Sequence, residues 1–179
     1  MSDQAITLID HDPAWAVRFT EQQLRLSVLL EPWLAAPVEH VGSTSVTGLR
    51  AKPIVDLLAP VTSLDAAPQI IPVLASDGWL FWPDDPNRLY RLWFLRPRPS
   101  ARTHHPQIIA HDHVAAHALI AFRDALRDDP HLRETYATLK DNLAEQYRFD
   151  REAYTNAKRA FVRSVLQSKG VAEPPRAPL

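Results

Sequence analysis

Two stretches of this chain gather residue types that can act on a phosphate. The first runs Glu39-His40-Val41-Gly42-Ser43-Thr44-Ser45-Val46-Thr47-Gly48-Leu49-Arg50-Ala51-Lys52-Pro53-Ile54-Val55-Asp56. A short apolar-flanked run ends in Gly42-Ser43, and the hydroxyl residues Thr44 and Ser45 follow. A Gly-Ser turn exposes backbone N–H groups that can hold phosphate oxygens. Lys52 stands just ahead of a second apolar run, where its ammonium can meet a triphosphate as a point charge. Asp56 lies inside that run, and an acid in a buried strand is costly unless it is paired or holds a cation. Transfer at phosphorus uses carboxylates to hold Mg²⁺, which neutralises phosphate charge and activates the attacking oxygen. Asp56 suits that role; a structural salt bridge to an arginine is the other reading of the same residue.

The second stretch is Arg102-Thr103-His104-His105, preceded by the basic, proline-stiffened Arg96-Pro97-Arg98-Pro99. Strand alternation puts Thr103, His105 and Gln107 on one face and His104 on the other. One histidine face is therefore available to contact phosphate, act as a general base or ligate a metal. Further along, Arg151, Tyr154, Thr155 and Lys158 are spaced for one helix face, with Lys140 upstream. That face either presents cations to an anionic substrate, or packs Tyr154 while its basic side chains snorkel to solvent. His111, His113 and His117 read as surface residues. Trp79, Trp82, Trp93 and Phe94 read as core.

Certain elements must position these groups. Asp12-Pro13 reads as a helix N-cap with proline in the first turn. Trp15, Val17, Phe19, Leu24, Leu26, Val28 and Leu29 then give a mostly helical apolar face up to Pro32. Strands are expected at Val38 to Val41, Ile54 to Ala59, Trp79 to Trp82, Asn87 to Leu95 and His104 to Ala110. Ala66 to Ser76 reads as a helix crowded by Pro68 and Pro72. His113 to Arg127 and His131 to Gln167 are helical by periodicity, the latter through Leu139, Leu143, Tyr147, Tyr154, Phe161 and Val165. The order implies an α+β (mixed α/β) domain. Its small mixed sheet of about five strands is flanked by an N-terminal helix and two C-terminal helices. Residues 1–168 read as one domain and 169–179 as a disordered Pro-rich tail.

Composition narrows the functional classes. The net charge of −1 gives no overall basic field, so no nucleic-acid partner is expected. The chain has no cysteine, which excludes disulfides, thiolate catalysis and cysteine-ligated zinc. Met1 to Asp12 lacks the pattern of a signal peptide, and no apolar segment approaches the roughly 20 residues of a membrane span. A cytoplasmic location without a membrane partner is the expectation.

The long first motif closely resembles the signature of the GrpB-like family of the nucleotidyltransferase superfamily. Arg102-Thr103-His104-His105 resembles that family's second motif. Phe122-Arg123-Asp124, Leu139-Lys140 and Asp150 to Lys158 resemble its C-terminal helices, and Asp12-Pro13-Ala14-Trp15 its opening helix. The resemblance implies a minimal nucleotidyltransferase-like core. By that resemblance Gly42 and Ser43 form the phosphate-binding turn and Asp56 binds Mg²⁺. The sequence departs from active superfamily members at Leu58, where a second acid usually follows two residues after the first. It departs from the family pattern at Pro106-Gln107, where Leu-His is usual, and glutamine cannot shuttle protons.

The resulting expectation is a Mg²⁺-dependent transfer of a nucleoside monophosphate from a nucleoside triphosphate to a small acceptor. Asp56, His105 and Glu39 are the candidate catalytic residues. Gly42, Ser43, Thr44, Ser45, Lys52, Arg102, His104, Lys140, Arg151, Tyr154 and Lys158 are the candidate substrate-binding residues. The alternative is a non-catalytic nucleotide- or anion-binding regulatory module, motivated by Leu58.

Overall fold

The computed structural model describes residues 5–175. Positions 1–4, and the last four of the Pro-rich tail, lie outside the described residues. Five strands, β1 (Glu39–Val41), β2 (Val55–Val61), β3 (Leu80–Phe81), β4 (Leu92–Leu95) and β5 (His104–Ala110), form one sheet in the order β1-β2-β5-β4-β3. The central pair, β2 and β5, is parallel, and every other pairing is antiparallel. The helices are α1 (Ala14–Leu29), α2 (Ala67–Ser76), α3 (Val114–Asp128), α4 (Pro130–Gln146), α5 (Arg151–Ala157) and α6 (Arg159–Ser168). This is the mixed α+β arrangement expected from the sequence.

Strand β2 is central and apolar on both faces, as a strand covered by helices on each side must be. Val55, Leu57, Ala59 and Val61 pack with Trp15, Leu26 and Leu30 from the α1 side and with Ile70 and Leu74 of α2. Leu58 lies on the opposite face with Val41, Ile109, Ala115 and Ala116, under α3.

Three sequence expectations change. The helix read from His131 to Gln167 is interrupted. The Asp150 carboxylate accepts the Ala153 N–H at 2.9 Å and caps α5, so the chain restarts a helix there although the apolar spacing runs on. A second bend at Lys158 divides α5 from α6. The strand read from Asn87 to Leu95 shrinks to β4, because the Asn87 carbonyl accepts the Tyr90 and Arg91 N–H groups in a turn. On α1 only part of the apolar set faces inward. Trp15 and Leu26 are buried and Phe19 and Leu29 pack beside them, whereas Val17, Leu24 and Val28 fall on the outer face. From the tail, Glu173 pairs with Arg163 of α6 at 2.7 Å.

Candidate functional site

The parallel pairing of β2 with β5 sets Asp56 opposite His105, and their side chains approach at 3.5 Å, Oδ1 to Nδ1. The antiparallel register of β1 brings Val41 beside Asp56 and leads the chain into Gly42. Gly42 has φ +71°, and a Cβ built there would lie 2.5 Å from Asp56 Oδ2. Only glycine allows that approach of backbone to carboxylate. Gly42→Ala is expected to destabilise the protein by about 1–3 kcal/mol and to displace the Asp56 carboxylate, read by denaturant unfolding and by a crystal structure of the variant.

After Gly42 a tight turn, Ser43–Ser45, leads back toward β2. Its hydroxyls divide in role. Thr44 Oγ1 lies 3.0 Å from His40 Nε2 and donates to the Ile54 carbonyl at 3.2 Å, tying the loop to both strands. Ser45 Oγ donates to the Gly42 carbonyl at 2.6 Å and is buried. Ser43 remains on the wall of a cavity of about 860 Å³ that opens above Asp56.

That cavity is strongly cationic. Among the described residues, seven lysines and arginines line it against three carboxylates. One of those acids, Asp85, is gripped by Arg91 through two bonds of 2.5 and 2.8 Å. Asp56 instead faces His105. The lysines are packed on aromatic faces: Lys52 and Lys158 Nζ lie 5.0 and 4.3 Å from the Tyr154 ring centroid. Lys140 lies 5.0 Å from the Tyr136 ring and donates to the Arg50 carbonyl. Burial pushes the Lys158 ammonium down to about 7, and the neighbouring charges of Lys52 and Lys140 push the same way. Lys140 is likewise lowered to about 7, chiefly by burial. Gathering these cations away from water is costly.

The structure thus brings together Ser43, Thr44, Lys52, Asp56, Arg102, His105, Lys140, Arg151, Tyr154 and Lys158 on one cavity. Three candidates fall elsewhere. Glu39 points toward α3, where Arg123 Nη1 donates to its Oε2 at 2.6 Å, so it is placed to hold a strand to a helix rather than to act as a base. His104 lies on the opposite sheet face, edge-on to Trp79, with Nδ1 2.8 Å from Thr103 Oγ1. Burial lowers its pKa to about 4, and it contributes a neutral core ring. Ser45 serves the turn itself.

Sequence reading missed Arg91, Arg159, Trp82 and Trp93. The two tryptophans are cavity wall rather than core, and the Arg102 guanidinium sits 5.7 and 5.9 Å from their rings. Alternation carried the signal: Phe81 and Phe94 face the core, so their neighbours Trp82 and Trp93 face away.

For a divalent cation the donor set is thin. Leu58, fully buried, occupies the next position on the Asp56 face. Among the described residues no group of three or more His, Cys, Asp or Glu side chains surrounds a common point. A two-metal clamp does not fit. The lone Asp56 carboxylate matches the donor set of an ion that takes one or two carboxylates and completes its shell with substrate phosphates, as Mg²⁺ does.

A family model described as GrpB protein matches residues 5–168. The chain belongs to the GrpB family. A UPF0157 protein of Pseudomonas aeruginosa is 38% identical over 169 residues, covering 92% of this chain and 67% of that protein. The UPF0157 protein YqkA of Bacillus subtilis is 30% identical over 91% of this chain, which spans only 47% of YqkA. Among solved structures, the conserved protein GrpB of Enterococcus faecalis matches with a TM-score of 0.81 and 30% identity, over 90% of this chain and 96% of that one. Cid1 in complex with its short product ApU matches with a TM-score of 0.50 and 15% identity, over 74% of this chain and 42% of Cid1. That last likeness concerns the fold alone. Among the described residues of this GrpB-family chain no helix is long and apolar enough to cross a membrane.

Proposed function

We propose that this protein binds the polyphosphate of a nucleoside triphosphate in the cationic cavity and transfers the nucleotidyl group to a small acceptor. The observation that carries the reading is the excess of cations around one carboxylate, Asp56, that faces a histidine instead of an arginine. The likeness of fold to part of Cid1, a protein solved with its short product ApU, is consistent with it.

Asp56, with the phosphates of the ligand, would hold one Mg²⁺, which when bound lowers phosphate charge and favours displacement at phosphorus. The remaining work falls to the chain's own groups. Ser43 and the Gly42 turn line the phosphate path beside Asp56. Lys52 and Lys158, packed on the Tyr154 ring, and Lys140, on the Tyr136 ring, line the cavity and offset the charge of the triphosphate. Arg102, resting on Trp82 and Trp93, is pre-oriented to do the same. His105 stands beside Asp56, its Nδ1 3.5 Å from Oδ1. This is positioning and electrostatics, the usual division of labour in such transfers.

A second reading, binding without turnover, is favoured by Leu58. Calorimetric titration of nucleoside triphosphates with and without Mg²⁺, joined to a pyrophosphate-release assay, separates the two. Mg²⁺-dependent binding with release supports transfer. Binding indifferent to Mg²⁺ and without release supports the regulatory module, and no binding removes both.

The lowered lysines give a pH signature. Burial lowers Lys140 and Lys158 to about 7, and bound phosphate favours the charged forms, so binding is expected to take up protons above that pH. Between pH 7.5 and 9.5, where triphosphate charge is constant, Kd is expected to rise by about tenfold per pH unit for each lysine that must be recharged. Calorimetry in two buffers of different ionisation enthalpy checks the uptake.

A further inference from the structure

A second cavity, of about 340 Å³, opens beside the first and shares with it a polar wall that includes Ser43, Asp56, Arg91, Gln107, Lys158 and Arg159. Beyond that shared wall, and apart from Glu173 of the tail, its lining is largely apolar. Ala115, Ala118, Leu119 and Phe122 line it from α3, at spacings of three, four and seven residues that put them on one helix face. Val162 and Leu166 of α6 face them, and Ile109 of β5 lies below. Two of the four α3 positions are alanine, and those short side chains leave the space open. The change from cationic to apolar takes one helical turn, for the Val162 N–H donates to the Lys158 carbonyl at 3.1 Å. Its volume is that of a small ligand pocket, enough for a ring-sized group.

We propose that the ligand of this protein is amphipathic, with a phosphate-bearing head in the cationic cavity and an apolar, ring-sized body in the pocket between α3 and α6. Asp56 and Lys158 stand at the junction, so the bond joining head to body passes between them. The inference rests on the phosphate reading of the larger cavity and adds the chemical class of what is attached. The body is either the nucleobase of the donor or the apolar part of an acceptor bearing its own anion.

The test compares ligands that share a head and differ in the body. Tripolyphosphate is set against ATP, and inorganic phosphate against 1-naphthyl phosphate, by calorimetry on the full chain. Each is measured in wild type, Ala118→Trp and Val162→Trp, the two substitutions filling the pocket from opposite helices. At least one body-bearing ligand is expected to bind tenfold or more tightly than its bare head. Each folded tryptophan variant is expected to erase that gain while leaving the bare head bound as before. A gain with ATP identifies the nucleobase as occupant, and a gain with naphthyl phosphate alone identifies the acceptor. No gain in wild type, or a gain that survives in a folded variant, overturns the amphipathic ligand and leaves the phosphate site standing. Failure of both bare heads to bind wild type removes the phosphate reading, and this inference with it. Because Val162 is only half-buried, its variant keeps the test open if the Ala118 variant fails to fold.

Discussion

Asp56→Asn is expected to lower nucleotidyl transfer by roughly 10²–10³-fold or more while leaving the melting temperature within a few degrees of wild type. Asparagine has the size of aspartate, so it fits the close approach of Gly42 to Asp56 Oδ2. It can also keep the contact with His105, whose Nδ1 lies 3.5 Å from Asp56 Oδ1 in the native site. The negative charge alone is lost. Without it, nothing else among the described residues assembles a metal site, so the Mg²⁺ dependence of triphosphate binding should disappear. Binding of tripolyphosphate in the absence of Mg²⁺ should tighten, since a repulsive carboxylate has left a cationic cavity. Calorimetry with and without Mg²⁺ reads the second effect and pyrophosphate release the first. Full turnover in Asp56→Asn would remove the transfer mechanism. Unchanged, Mg²⁺-indifferent binding in both proteins would support the regulatory reading.

Lys158→Met is expected to move stability and affinity in opposite directions. Lys158 is half-buried with its ammonium over the Tyr154 ring, and loss of water contact, with the charges of Lys52 and Lys140, lowers its pKa to about 7. A lysine whose folded pKa lies below its unfolded value of 10.5 binds fewer protons in the folded state. Its contribution to stability therefore rises with pH from about 7 to 10.5 and is least favourable at and below about 7. Methionine preserves the unbranched apolar stem and removes the charge. The ligand-free protein should thus melt at higher temperature, with the largest gain at pH 7 and below and a shrinking gain toward pH 10. Triphosphate affinity should fall by about tenfold to a hundredfold, the loss of one charge-assisted contact. Thermal melts across pH and calorimetry at pH 7 measure the two arms. A destabilised ligand-free variant, or unaltered affinity, would show that Lys158 is structural.

Most of the fold was legible because its elements announce themselves locally. The β5 span His104–Ala110 matches the sequence reading at both ends. It is a nearly unbroken buried run between a proline-rich loop and a helix cap. The helix after it was legible for the same reason. What the sequence concealed was the interruption between α4 and α5. There the apolar spacing continues from Leu143 and Tyr147 to Tyr154, while Asp150 resets the backbone. A hydrophobic period records which residues face the core, and not whether one continuous helix delivers them.

For the site, the sequence by itself determined the chemistry of the parts. The Gly42-Ser43 turn, the single acid Asp56 with Leu58 behind it, and the lysines of the last helices could all be named from residue type and local order. The same evidence placed the chain in the family to which it belongs. Only the tertiary structure decided which parts meet. Glu39 was drawn away by Arg123 across 84 positions of sequence, and no local pattern encodes such a partner. Arg91, Trp82 and Trp93 entered the cavity because β3 and β4 pair at the far edge of the sheet and turn those side chains toward α5. The lowered pKa of Lys158 depends on burial and on two other lysines brought near it by folding. Composition and spacing fix what a side chain can do; its electrostatic environment is a property of the assembled packing.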